Sequence, residues 1–152
     1  MIIESHNLKE LRQKLKDKKI VLALGCFDLL HGGHLQYLKK AAALGDILVV
    51  HVANNERVKL LKGEDRPLID LRERMEIIDS LRFVDYVTSH PEVKSDIAVE
   101  EILKTLRPDI FANGSDKRNE KIKKISPNTN IVIIPELETI STTKILNKLG
   151  LS

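Results

Sequence analysis

Ile20-Val21-Leu22-Ala23-Leu24-Gly25-Cys26-Phe27-Asp28-Leu29-Leu30-His31-Gly32-Gly33-His34 is the stretch on which the reading of this chain turns. Its first five residues are all aliphatic and end at a glycine, the pattern of a strand buried on both faces of a parallel sheet. Leu35, Leu38, Ala41 and Ala42 follow at helical spacing and stop at Gly45, a residue suited to a C-cap. The turn between strand and helix carries two histidines three residues apart, which places both imidazoles on one side of a first helical turn. The N–H groups of such a turn lack intrahelical partners and point toward a phosphate. The glycines admit a ligand close to the backbone. An imidazole can donate a hydrogen bond or a full positive charge to phosphate oxygens near neutral pH. The set suits stabilisation of charge on a transferring phosphoryl group; metal ligation and plain helix capping are the alternatives for two histidines so spaced.

Working outward, Leu8, Leu11 and Leu15 predict a short amphipathic helix before this strand, its lysines solvated at the helix end. Ile47 to Ala53 reads as a second strand, Glu56 to Leu61 as a short helix, and Gly63 to Pro67 as a loop. Asp70 can cap the next helix, with Glu73 three residues on and Leu71, Met75 and Ile78 as its apolar stripe. Val84 to Thr88, Ile110 to Ala112 and Ile131 to Ile134 complete five strands. Helices with stripes at Val99, Ile102, Leu103 and Leu106, at Ile122 and Ile125, and at Ile145, Leu146 and Leu149 lie among and after them. Strands separated by helices predict an α/β fold: a Rossmann-like, doubly wound parallel five-stranded sheet with helices on both faces, in one domain over residues 1–152. Ligands of such folds bind outside the carboxyl ends of the strands, where strand order reverses. The unusual residues fall at those ends: 25–34, then Asn54 and Asn55, then 113–116, then 138–144.

The composition agrees. Among 152 residues, 42% are hydrophobic and 31% charged, as in an ordinary soluble globule. A net charge of +3 and 3% aromatics argue against a nucleic-acid partner, in surface charge and in stacking platform alike. No apolar run approaches membrane-spanning length, and the single cysteine fits a reducing compartment, so a cytoplasmic protein is expected. A dinucleotide-dependent oxidoreductase would need a Gly-x-Gly-x-x-Gly turn after the first strand, which Gly25 and Gly32-Gly33 do not make. Near the C-terminus, Ile140-Ser141-Thr142-Thr143-Lys144 sets three hydroxyls in a row at a predicted helix start. An N-cap explains one of them; an anion site explains all three.

The Gly-x-Phe-Asp and His-x-Gly-His elements resemble the signature of the cytidylyltransferase-like nucleotidyltransferase superfamily. Leu44-Gly45-Asp46, Leu61-Lys62-Gly63, Arg66-Pro67, Glu73-Arg74, Val84-Asp85-Tyr86-Val87, Arg107-Pro108-Asp109 and Gly114-Ser115-Asp116 extend the likeness. Within the superfamily they resemble the adenylyltransferase domain of bacterial ADP-heptose synthesis. The resemblance implies that His31, His34 and Lys62 are catalytic. It implies nucleotide contacts from Gly25, Cys26, Phe27, Asp28, Gly33, Asn113, Gly114, Asp116, Ser141, Thr142 and Thr143, the last three at the β- and γ-phosphates. Arg66 and Arg74 are expected to bind the acceptor. Cys26 is not expected to act as a nucleophile, because direct displacement needs no covalent intermediate.

The implied reaction is attack of an acceptor phosphate on the α-phosphorus of a nucleoside triphosphate, with release of pyrophosphate. Mg2+ would travel mainly on the triphosphate, with no side chain assigned as its ligand; Asp28, at the acidic position of the motif, would help orient the site or the metal. Homodimers are common in the family. Glu136 stands where the cytidylyltransferase branch has an arginine, and Thr139 where it has a glycine, which favours ATP over CTP. Asn113-Gly114-Ser115-Asp116 departs from the Lys-Gly-Gly-Asp of the heptose branch. That leaves FMN, as in archaeal FAD synthetases, or glycerol 3-phosphate or phosphoethanolamine with CTP, as other acceptor pairs. A non-catalytic nucleotide-binding module is the remaining alternative.

Overall fold

The computed structural model describes residues 1–90, 96–135 and 140–150. After a 3-10 turn and α1 (Leu8–Lys14), the chain alternates: β1 (Ile20–Gly25), α2 (Gly32–Ala42), β2 (Ile47–Val52), α3 (Asn55–Lys62), α4 (Leu71–Asp79), β3 (Tyr86–Thr88), α5 (Asp96–Leu106), β4 (Ile110–Asn113), α6 (Asn119–Ile125), β5 (Asn130–Ile133) and α7 (Thr142–Lys148). The strands form one sheet in the order β3-β2-β1-β4-β5, every neighbouring pair parallel. The chain winds from β1 outward through β2 to β3, then crosses back to β4 beside β1. The reversal of strand order therefore lies between β1 and β4, where such sheets bind ligands.

Alternation along each strand divides the core in two. Val21, Ala23, Val50 and Val52 face one layer with Leu38 and Ala41 of α2 and Ile78 of α4. Ile20, Leu22, Val49 and Phe111 face the other with Leu8 and Leu11 of α1, Ile102, Leu103 and Leu106 of α5, and Ile122 of α6. Helices thus cover both faces, and the expected architecture is observed.

Two details differ from the expected pattern. The helix before Gly45 ends at Ala42 with Ala43 as C-cap, so Gly45 is not the cap. A Cβ at Gly45 would lie 2.6 Å from the Lys19 carbonyl oxygen and 2.7 Å from Val21 Cγ2. The glycine is there to let the turn pass against the start of β1. Asp46 in that turn accepts from the Lys19 N–H at 2.7 Å. The third strand begins at Tyr86 rather than Val84, because Val84 N–H turns back to the Leu81 carbonyl. Asp70 caps α4 as expected, accepting from the Arg72 N–H. Ser141 caps α7 through the Lys144 N–H. Among the described residues no helix is long and apolar enough to cross a membrane.

Candidate active site at the carboxyl edge of the sheet

A cavity of about 390 Å³ opens along the carboxyl ends of β1, β2 and β4. The loop after β1 forms its centre. Phe27 and Leu29 adopt left-handed backbone conformations, φ 51° and 53°, which disfavour side-chain-bearing residues by about 1–2 kcal/mol each. Two anchors hold this geometry. The Phe27 ring is buried, and the Asp28 side chain, also buried, is fully engaged. Its carboxylate accepts from Arg66 Nε at 2.6 Å and Nη2 at 2.5 Å, and from the N–H groups of Leu68 and Ile69. Strain retained at such a loop marks a place where the chain's shape serves a ligand.

The two histidines of the loop stack, ring centroids 3.8 Å apart and 19° between planes. His31 is the N-cap of α2: its Nδ1 accepts from the Gly33 N–H at 3.2 Å. A neutral His31 therefore carries its proton on Nε2. A Cβ on Gly33 would sit 3.0 Å from the His31 ring, so the glycine keeps that cap in place. His34 packs edge-on against Phe27, and its Nδ1 is buried with no hydrogen-bond partner. Burial, then the neighbouring His31 and Lys62, push His34 down to about 4. The ring is neutral in the free protein at pH 7.

The start of α7 stands against the start of α2: a Cβ on Gly33 would lie 3.4 Å from Ile140 Cγ2. Ile140, Ser141, Thr142 and Thr143 all line the space. The Thr142 hydroxyl donates to the Asp28 carbonyl at 2.8 Å across 114 positions of chain. The paired imidazoles and the hydroxyl-rich turn therefore share one cavity. Gly25, Cys26, Phe27 and Gly33 line it too, as do Lys62 at the end of α3, Asn113 at the end of β4 and Gly114 just after it. Asn113 Nδ2 donates to the Ser115 carbonyl and to Asn119 Oδ1, which shapes the loop entering α6. Burial pushes the Cys26 thiol up, consistent with a group that is not a nucleophile.

Two expected contacts fall elsewhere, and a third is already paired. Arg74 was expected at the acceptor, yet its side chain is fully buried. Its guanidinium donates to the carbonyls of Ile69, Cys26 and Ala53 and to Asn55 Oδ1, at 2.6–2.9 Å. It ties three segments together, the loop after β1, the residues after β2 and the entry to α4, and has no face for a substrate. Arg66 lines the cavity but is paired with Asp28, so its charge is already balanced. Asp116 is exposed, outside the cavity lining, and its backbone carbonyl receives Asn119 N–H at the start of α6. Asp28, a candidate for orienting Mg2+, is the one carboxylate on the cavity wall among the described residues, and its oxygens are taken. Among the described residues no group of three His, Cys, Asp or Glu side chains could hold a metal. Glu136 and Thr139, on which the preference for ATP rests, lie outside the described residues.

Sequence reasoning passed over other lining residues. Tyr37 donates to the Ala112 carbonyl at 2.8 Å. Arg57 of α3 and Arg118 before α6 add cations to the lining. His51 and His90 meet at 3.2 Å (His51 Nε2 to His90 Nδ1) behind the loop. Only folding unites these residues; the one available hint was a histidine in the otherwise aliphatic run of β2.

A family model described as cytidylyltransferase-like matches residues 22–148. Among curated relatives, the bifunctional protein HldE of Desulfatibacillum aliphaticivorans is 37% identical over 150 residues, covering 91% of this chain and 29% of the relative. The HldE of Helicobacter hepaticus is 38% identical over 148 residues, covering 97% and 30%. The chain thus spans less than a third of the length of these relatives. Among solved structures, a lipopolysaccharide core biosynthesis protein from Thermoplasma volcanium superposes with a TM-score of 0.63 at 32% identity, over 80% of this chain and 99% of that one. A pantoate-beta-alanine ligase from Francisella tularensis, solved with a bound ATP compound, superposes with a TM-score of 0.67 at 19% identity, a likeness of fold. A single cavity flanked by the His-x-Gly-His helix and the hydroxyl-rich turn, with a family match over most of the chain, leads to one conclusion: the chain belongs to the cytidylyltransferase-like family of nucleotidyltransferases.

Proposed function

We propose that this chain transfers AMP from ATP to a sugar phosphate of the heptose 1-phosphate kind and releases pyrophosphate. The observation that carries this reading is the Thr142–Asp28 hydrogen bond, which closes the imidazole pair and the hydroxyl turn around one space. An oxygen of the acceptor phosphate attacks the α-phosphorus in line. The new P–O bond forms as the bond to the β-phosphate oxygen breaks, and both electrons of that bond leave with pyrophosphate. The acceptor oxygen is already anionic at neutral pH, so no general base is needed, and the protein's work is positioning and charge stabilisation. With Nδ1 of His34 buried and unpartnered, the ring's one proton belongs on Nε2, and a neutral ring then offers one N–H to a phosphoryl oxygen. Polyphosphate charge beside it favours a second proton and a full positive charge. Lys62 adds a mobile cation, and Ser141 to Thr143 serve the outer phosphates. Mg2+ is assigned to the triphosphate itself, since among the described residues the wall offers no uncommitted carboxylate, and no step above depends on it. The setting is the cytoplasm, where the triphosphate is made.

The relatives named HldE support the ATP and heptose assignment over CTP and glycerol 3-phosphate. The test is a pyrophosphate-release panel crossing ATP and CTP with heptose 1-phosphate, glycerol 3-phosphate, phosphoethanolamine and FMN. ATP with heptose 1-phosphate is expected to give the highest kcat/KM. Preference for CTP, or for FMN, would replace the acceptor assignment; nucleotide binding without pyrophosphate release in any combination would make the chain a binding module.

A further inference from the structure

β2 is aliphatic from Ile47 to Val52 except at His51. His51 and His90 are 5% and 6% exposed, and both line the cavity. His51 thus stands where the sheet would otherwise carry another valine or leucine, and His90, two residues past β3, meets it. Burying two such rings is unfavourable unless they are hydrogen-bonded, and here they bond to each other at 3.2 Å. Their orientation is set from behind. Glu101 Oε2 of α5 lies 3.7 Å from His90 Nε2, which favours the proton on that nitrogen. His90 Nδ1 then accepts from His51 Nε2–H, and His51 Nδ1 remains an unprotonated acceptor. Asn54 Nδ2 holds the His90 carbonyl at 2.8 Å, fixing the backbone that carries the ring. Burial keeps both rings neutral: it pushes His51 down to about 3 and lowers His90 as well.

Topology says which part of the ligand they meet. β2 and β3 lie on the side of β1 away from β4 and β5. The triphosphate groups, on α2 and α7, and the loop after β4 lie at the centre and on the other side. Lys62 and Arg57 lie on α3, the helix that follows β2, and line the cavity, a positive charge suited to an acceptor phosphate. A neutral, pre-oriented imidazole acceptor beside those cations matches a hydroxyl donor; a second phosphate would require a protonated ring.

We propose that His51 and His90 form the acceptor-specificity wall of this cavity, with His51 accepting a hydrogen bond from a hydroxyl of a polyhydroxylated phosphate. The inference rests on the nucleotidyltransferase reading and narrows its acceptor to a sugar- or polyol-type molecule.

The experiment measures steady-state pyrophosphate release by wild type, His51→Asn and the double variant His51→Leu/His90→Leu. Replacing both partners by apolar groups avoids leaving one buried nitrogen orphaned, so the double variant is expected to fold, with thermal unfolding as the control. Its KM for the sugar phosphate should rise about tenfold, the effect of one lost hydrogen bond. Its KM for ATP should stay within about twofold. His51→Asn, which keeps a polar group on the wall, should recover part of the loss. An unchanged acceptor KM in a folded double variant overturns the inference while leaving the nucleotidyltransferase reading intact. So does a wild type that uses phosphoethanolamine alone, the one acceptor of the panel with no alcohol hydroxyl; FMN, whose ribityl chain carries hydroxyls, is judged by the same comparison of KM. If glycerol 3-phosphate is the acceptor turned over, the same comparison is made on it and decides in the same way. A wild type releasing no pyrophosphate with any acceptor overturns both readings, an outcome distinct from activity with an unmoved KM.

Discussion

Two histidine pairs border one cavity, and they are built on opposite plans. His31 and His34 stack face to face without bonding to each other; one caps a helix and the other keeps a buried nitrogen without a partner. His51 and His90 bond to each other and are braced by Glu101 and Asn54. In the proposed reaction His34, with its buried unpartnered nitrogen, is the ring that responds to an anion. The second pair is satisfied internally and changes little, as expected of a surface that selects by shape and hydrogen bonding. A group that must respond to charge developing during reaction is left electrostatically incomplete; a group that must discriminate is fixed in advance.

The most severe way to break the contrast is to release what holds both pairs to one cavity. Arg74 bonds the carbonyl of Cys26, in the loop of the first pair, and that of Ala53, two residues past His51. Arg74→Met leaves several buried carbonyls unpaired and should destabilise the fold by about 3 kcal/mol or more, read as a lower unfolding midpoint in urea. A midpoint near wild type would show that Arg74 is not the tie described here.

Next in size is the catalytic arm. His34→Ala should lower kcat about 100-fold or more, the scale of a lost oxyanion donor, while leaving the unfolding midpoint near wild type. Near-normal turnover in that variant would put the chemistry elsewhere.

The smallest effect sharpens the comparison through pH. Both buried rings titrate below the ordinary value of 6.5, His34 at about 4 and His51 at about 3. Between those limits the unfolded chain binds protons that the folded one refuses. Their contribution to stability is therefore full above 6.5 and is lost progressively as pH falls toward 4. Tm should decline between about pH 7.5 and pH 5, and more shallowly in His51→Leu/His90→Leu. An identical slope in that variant would mean that His51 is already charged or exposed in the native protein.

The first pair was legible because its parts are local: a strand, two glycines and an i, i+3 spacing lie within one short stretch of chain. The order of elements was legible for the same reason, since aliphatic runs and helical stripes are short-range patterns. The second pair was not, because 39 positions separate its members and a lone histidine in a strand carries no pattern. Arg66, Arg74 and Asp28 were singled out as residues near a site, but their roles depend on partners that only tertiary structure supplies. A buried arginine beside several carbonyls and a surface arginine facing a substrate look alike in one dimension. Gly45 was misjudged likewise: a glycine after a helix reads as a cap, and only the path of the Lys19 backbone shows why a side chain is excluded.

The link between Thr142 and Asp28 has a consequence for how the protein comes into being. Residue 28 leaves the ribosome long before residue 142, so a nascent chain can carry its histidine loop while one wall of the pocket is still untranslated. Until α7 docks, the growing polypeptide has the frame of a nucleotide-handling protein but no closed chamber to hold the nucleotide.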